Sequence, residues 1–149
     1  MRLHGPLYRL GGAVYLALTD QCNARTLVAT RGPSFCMPLE SGFQPLDGKE
    51  PSAECLADHV SEHLTLSSPT APPVVSFAGL GEPLLRSETL LETISLVRER
   101  HGDESVKFRV VTNALFPAEL ARALAKGGVH QASVALARYV TSKYLYRLS

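Results

Sequence analysis

Apolar β-forming residues fall in four short runs: Val14-Tyr15-Leu16-Ala17-Leu18, Val74-Val75-Ser76-Phe77-Ala78, Val106 to Val111, and Ala132 to Leu136. The runs are nearly continuous rather than alternating, the pattern of strands covered on both faces. Helical spacing separates most of them. Leu56, Val60 and Leu64 recur at i, i+4 and i+8 behind a capping residue at Ser52, and Leu90, Leu91, Ile94 and Val97 recur behind Ser87 and stop before Gly102. A third helix is expected from near Pro117, with Leu120 and Leu124 inward and an end at Gly127-Gly128. The repeating unit is therefore βα, and it predicts an α/β fold with a mainly parallel sheet of about four strands. Ahead of the first run, Leu7 to Leu10 reads as a short strand turning through Gly11-Gly12 into a small antiparallel ribbon at the sheet edge. Thr141 to Ser149 begins one more helical pattern, with Tyr144, Leu145 and Leu148.

Between the first strand and the first helix, Pro33, Pro38, Pro45 and Pro51 together with Gly32, Gly42 and Gly48 oppose regular structure, giving a long irregular loop over about 23–51. Loops of that length in compact domains tend to carry function. The 149 residues are expected to form one domain over 1–149, and 45% apolar with 19% charged residues suffices for a buried core. A net charge of +1 supplies no basic field for nucleic acid. The longest strongly apolar stretch, Ala13 to Leu18, is far too short to span a bilayer, and Met1 to Pro6 carries no secretory pattern. Three widely spaced cysteines, Cys22, Cys36 and Cys55, make no disulfide framework. Reduced thiols and a cytoplasmic setting are expected.

Ligand sites of parallel α/β sheets form at the carboxyl ends of strands. Those positions hold Thr19-Asp20-Gln21-Cys22-Asn23-Ala24-Arg25, Gly79-Leu80-Gly81-Glu82-Pro83 and Thr112-Asn113-Ala114, while the fourth strand carries Ser133. Each has a plain structural reading. Gly79 and Gly81 suit a tight turn, and Leu84 stands where a dinucleotide fingerprint needs its third glycine. Glu82 suits a helix N-terminus, Asn113 a turn, and Cys22 and Ser133 are small residues in or after strands. His59-Val60-Ser61-Glu62-His63 fits the H-x-x-E-H zinc pattern, and Cys55, His59 and His63 share one helical stripe. That stripe flanks the core face of a crossover helix, away from the strand ends, and is expected to be solvated or half-buried. Arg98 and Arg100 beside Glu99, and Arg109 beside Lys107, read as mixed-charge surface.

Taken in order, Leu18-Thr19-Asp20-Gln21-Cys22-Asn23, Gly79-Leu80-Gly81-Glu82-Pro83-Leu84 and Val110-Val111-Thr112-Asn113-Ala114 resemble the cluster loop, the Gly-Gly-Glu-type turn and the Thr-Asn-Gly element of the radical S-adenosylmethionine (radical SAM) superfamily. Within it, the chain is most similar to short members named as linked to TatD-type nucleases. The resemblance covers most of the chain and implies a partial, open βα barrel that uses S-adenosylmethionine and a 4Fe-4S cluster. It implies Cys22 as a cluster ligand, Gly79, Gly81 and Glu82 as the seat of the methionine end, and Asn113 and Ser133 as pocket lining. The family spacing Cys-x3-Cys-x2-Cys, counted from Cys22, falls on Thr26 and Ala29, neither of which supplies a thiolate. Cys36 and Cys55 do not stand at the family spacing. The expectation is a degenerate radical-SAM-like domain. Its alternative is a non-catalytic binding or scaffold module of the same fold, whose open barrel edge pairs with a partner protein or a second copy.

Overall fold

A computed structural model describes residues 5–24, 37–67 and 69–135. In chain order the elements are β1 (Leu7–Leu10), β2 (Ala13–Leu16), a 3-10 turn at Leu39–Ser41, α1 (Ala53–Ser67), β3 (Val74–Phe77), a second 3-10 turn at Pro83–Arg86, α2 (Ser87–His101), β4 (Lys107–Thr112), α3 (Ala118–Lys126) and β5 (Val129–Val134). The five strands form one sheet in the order β1-β2-β3-β4-β5. β1 runs antiparallel to β2, and every later pairing is parallel. The ribbon at the edge forms because Gly11 and Gly12, at φ 53° and 81°, supply the two left-handed residues of a hairpin turn.

Strand alternation divides the sheet into two unlike faces. Val14, Leu16, Val75, Phe77, Phe108 and Val110 join Leu56 and Val60 of α1, Leu90, Ile94 and Val97 of α2 and Leu124 of α3 in one apolar cluster. All three described helices therefore cover the same face. Phe77 and Phe108 stack at its centre, with centroids 5.7 Å apart and planes 17° from parallel. The register places Tyr15, Ser76, Arg109 and Gln131 in one row across the opposite face, with Val111 and Ser133 in the next. One face is hydrocarbon and the other is largely polar, so the continuous apolar runs of the sequence overstated how much of the sheet is covered by core.

Several boundaries differ from expectation for local reasons. The last strand begins at Val129, directly after Gly127-Gly128, rather than at Ala132. Its start lacks an apolar run because His130 is the extra residue of a bulge opposite Phe108/Arg109, where its Nδ1 accepts the Phe108 N–H at 3.1 Å. Ser52 does cap α1, accepting from Cys55 N–H at 3.2 Å. Ser87 does not cap α2, since the Pro83–Arg86 turn runs straight into that helix and Glu82 caps the turn instead. Of the long loop, residues 37–51 hold one short 3-10 turn and otherwise bends and extended chain. Arg25, Thr26, Ala29, Cys36, Leu136 and the helical pattern at 141–149 lie outside the described residues. Among the described residues no helix is long and apolar enough to cross a membrane.

Candidate functional site

The loops leaving β2, β3 and β4 meet at one rim of the sheet. Gly81 N–H donates to Thr19 O at 3.1 Å and Glu82 N–H to Gln21 O at 2.8 Å, stitching the β3 turn onto the β2 loop. Gly81 has no alternative there, because a Cβ would stand 2.3 Å from Gln21 O and 2.5 Å from Thr19 O. Glu82, 3% exposed, is addressed by three donors: Leu84 N–H at 3.1 Å and Thr112 Oγ1 at 2.7 Å on Oε1, and Asn113 N–H at 2.8 Å on Oε2. Its carboxyl group thereby ties the β3 turn to the end of β4. The Asn113 side chain bridges onward, with Nδ2 donating to Asn23 Oδ1 at 2.7 Å and lying 3.9 Å from Cys22 Sγ, while Oδ1 accepts from Leu115 N–H at 3.0 Å. Ala114 completes the turn at φ 57°, a left-handed conformation that favours glycine.

Cys22, Gly79, Gly81, Glu82 and Asn113 thus line one small cavity of about 60 Å³, together with Ala78, Val111, Thr112 and Ala135. Ser133 is the exception among the sequence-derived candidates. It pairs with Val111 inside β5, and Ala135 lines the cavity in its place. The cavity has room for a few waters but is well below the roughly 300–1,000 Å³ of small-molecule pockets.

A second polar cluster holds the same rim from outside and escaped sequence reasoning. Arg86 Nη1 donates to Leu18 O and to Pro51 O, both at 2.8 Å, Nη2 donates to Thr89 Oγ1 at 3.2 Å, and Nε lies 3.3 Å from Glu50 Oε2. Thr19 Oγ1 donates to Glu50 Oε1 at 2.5 Å. Asp20 Oδ2 accepts from Leu46 N–H at 2.7 Å and Asp47 N–H at 3.0 Å, anchoring the returning loop. Nothing in the spacing of Glu50 and Arg86 announces a pair across 36 residues. The only available signal was an arginine placed directly after a strand-end turn.

The α1 stripe behaves differently from a metal centre. Arg9 Nη2 donates to His63 Nδ1 at 2.8 Å, and His59 packs against Gly5. Burial, and secondarily the Arg9 charge, push the His63 imidazole below its ordinary value. Burial and the nearby Asp58 push the Cys55 thiol up, so it stays protonated near neutral pH. Among the described residues no three His, Cys, Asp or Glu side chains converge as metal ligands. Of the arginines expected at the surface, Arg100 forms an exposed pair with Asp58 at 2.8 Å, as mixed-charge surface does. Arg98 and Arg109 are half-buried, the first with its Nε enclosed and unpaired, the second lying on the polar sheet face.

Comparison with known proteins adds one finding. The chain is 28% identical over 144 residues to the GTP 3′,8-cyclase of Limosilactobacillus fermentum. It is 28% identical over the same length to the GTP 3′,8-cyclase of Lactiplantibacillus plantarum. The chain resembles GTP 3′,8-cyclases along most of its length. The alignments take in 96% of this chain and 39% of each relative, so the chain spans about two-fifths of the curated relatives it matches. No family model matches it, and no solved structure matches it with significance.

Proposed function

We propose that this chain is a radical-SAM-like βα domain, a single unit built as part of an open barrel, that does not carry out cluster chemistry and serves as a binding or scaffold module. Support for the relationship comes from the two relatives, whose named activity is a radical SAM reaction. Support for the barrel reading comes from strand order: consecutive parallel strands with every described helix on one face are the arrangement of a singly wound barrel, whereas doubly wound sheets reverse direction and carry helices on both faces.

The donor set does not fit a 4Fe-4S cluster. Cys22 stands at the first ligand position, but Thr26 and Ala29 occupy the other two, and a hydroxyl that stays protonated at neutral pH and a methyl group cannot replace two thiolates. The turn at Gly79, Gly81 and Glu82 does not fit S-adenosylmethionine either. The single observation that carries this reading is that the Glu82 carboxylate is taken up by Leu84, Thr112 and Asn113 and the Asn113 side chain by Asn23 and Leu115, around a cavity of about 60 Å³. The strand ends are held by protein–protein hydrogen bonds of the kind that would otherwise face a ligand.

A module role gives the open edge a purpose. Among the described residues β5 has one neighbour, β4, and its residues 130–132 and 134 are exposed. An unpaired strand edge of this kind invites a further strand from another chain. Calorimetric titration of the full chain with S-adenosylmethionine tests the main reading. No saturable heat up to ~1 mM ligand is expected, corresponding to less than about 4 kcal/mol of binding energy. Saturable binding in the micromolar range would overturn it.

A further inference from the structure

Besides the exposed Lys107 at its margin, the polar face of the sheet carries one half-buried charged group that neither the fold nor the strand-end cluster uses. Arg109 sits in the middle of β4, in a row formed with Tyr15, Ser76 and Gln131. Its Nε donates to Ser76 Oγ at 2.9 Å, its Nη2 lies 3.4 Å from the Tyr15 hydroxyl, and its guanidinium carbon lies 5.9 Å from the Tyr15 ring centroid. Ser76 is 1% exposed and Tyr8 stacks on Tyr15 at 5.2 Å, so the groups that hold the guanidinium are themselves fixed. These contacts use two of the five N–H groups of an arginine, leaving three without a partner among the described residues. No carboxylate reaches Arg109 among the described residues, where the Lys/Arg ion pairs are Arg86–Glu50 and Arg100–Asp58.

We propose that Arg109 is an anion-binding residue, taking the phosphate or carboxylate group of a small ligand that lies on the polar face of the sheet. A half-buried cation held in a fixed orientation, with no counter-charge and with donors to spare, has the chemistry of a planar fork awaiting two oxygens. Gln131, opposite Arg109 in the register and exposed, is the adjacent group able to donate to the same anion. This assignment does not depend on the absence of the cluster, because Arg109 touches none of the strand-end residues.

The test is an NMR titration of the full chain with inorganic phosphate and, separately, with acetate, following the Arg109 Nε–H and the Ser76 and Gln131 amide signals. Saturable shifts at these three residues are expected, and at least about a tenfold loss of affinity in Arg109→Met, roughly the effect of removing a charge-assisted pair. Arg122→Met, an exposed arginine on α3, is expected to change nothing. Tighter binding of phosphate assigns a phosphorylated ligand and tighter binding of acetate a carboxylate ligand, and both support the site. If Arg109→Met fails to fold, Arg109→Lys keeps the charge but loses the fork, and about a threefold or greater weakening is expected. Absent shifts, shifts that survive either substitution, or shifts spread over all surface cations, meaning an adventitious ion only, would overturn the proposal.

Discussion

Replacing Gly81 with alanine isolates what the strand-end turn is for. The new Cβ would meet Gln21 O at 2.3 Å, Thr19 O at 2.5 Å and Gln21 N at 2.7 Å, all backbone atoms that cannot swing aside as a side chain would. Relief requires the β3 turn and the β2 loop to separate, which stretches the Gly81–Thr19 and Glu82–Gln21 hydrogen bonds. Overpacking of this kind costs about 1–3 kcal/mol and each weakened hydrogen bond about 1 kcal/mol more, so a loss of roughly 3 kcal/mol is expected. For a chain of this size that corresponds to a Tm lowered by about 10 °C. Urea unfolding followed by circular dichroism measures it, with Gly79→Ala as control. A Cβ at Gly79 meets the Ala17 Cβ at 3.0 Å, a milder contact, so that variant is expected to lose less than half as much. A Gly81→Ala protein within about 0.5 kcal/mol of wild type, or no less stable than Gly79→Ala, would show that the loops are not locked together at this glycine.

Three further outcomes follow from the same geometry. Ala114→Gly relieves a left-handed alanine at φ 57° and is expected to stabilise by about 0.5–1 kcal/mol after the unfolded-state cost of glycine, read from urea midpoints. Arg86→Met leaves Leu18 O and Pro51 O without their donor and is expected to cost about 2–3 kcal/mol, whereas Glu50→Gln, at a partly exposed pair, is expected to cost less than about 1 kcal/mol. Because His63 is pushed below its ordinary value, the unfolded chain binds its proton first as pH falls. Its contribution to stability is complete above about pH 7 and is lost as pH drops below about 6.5 toward the lowered folded value. His63→Gln is expected to flatten that part of the profile in unfolding curves compared between pH 7.5 and pH 5.5; an unchanged slope would remove His63 as its source.

The sequence and the structure agree where periodicity and turn chemistry decide the outcome. The stripes Leu56/Val60 and Leu90/Ile94/Val97, the Gly11-Gly12 hairpin and the cap at Ser52 are local patterns, and all three appear as read. The convergence of Cys22, Gly79, Gly81, Glu82 and Asn113 was legible too, because parallel strands deliver their carboxyl ends to one rim whatever the loops contain. What those residues do there was not legible. Glu82 reads as a ligand seat or a helix-end carboxylate; it does cap the turn leading into α2, and it also ties β3 to β4 through donors 30 and 31 residues away, which no local pattern announces. Ser133 was placed by its strand rather than by the bulge at His130 that sets the register. Arg86 and Arg109 were invisible for the same reason, since a long charged side chain on one strand or turn is defined by what lies across the sheet. Arg109 beside Lys107 reads as surface until Ser76 and Tyr15 are found next to it.

The number of iron atoms retained after anaerobic reconstitution with iron and sulfide, followed by desalting, bears most directly on the proposed loss of the cluster. With Cys22 as the one thiol at the family spacing, less than one iron per chain and no sulfur-to-iron charge-transfer absorption are expected. About four irons per chain with that absorption, abolished by Cys22→Ala, would contradict it and would mean that other donors complete the set.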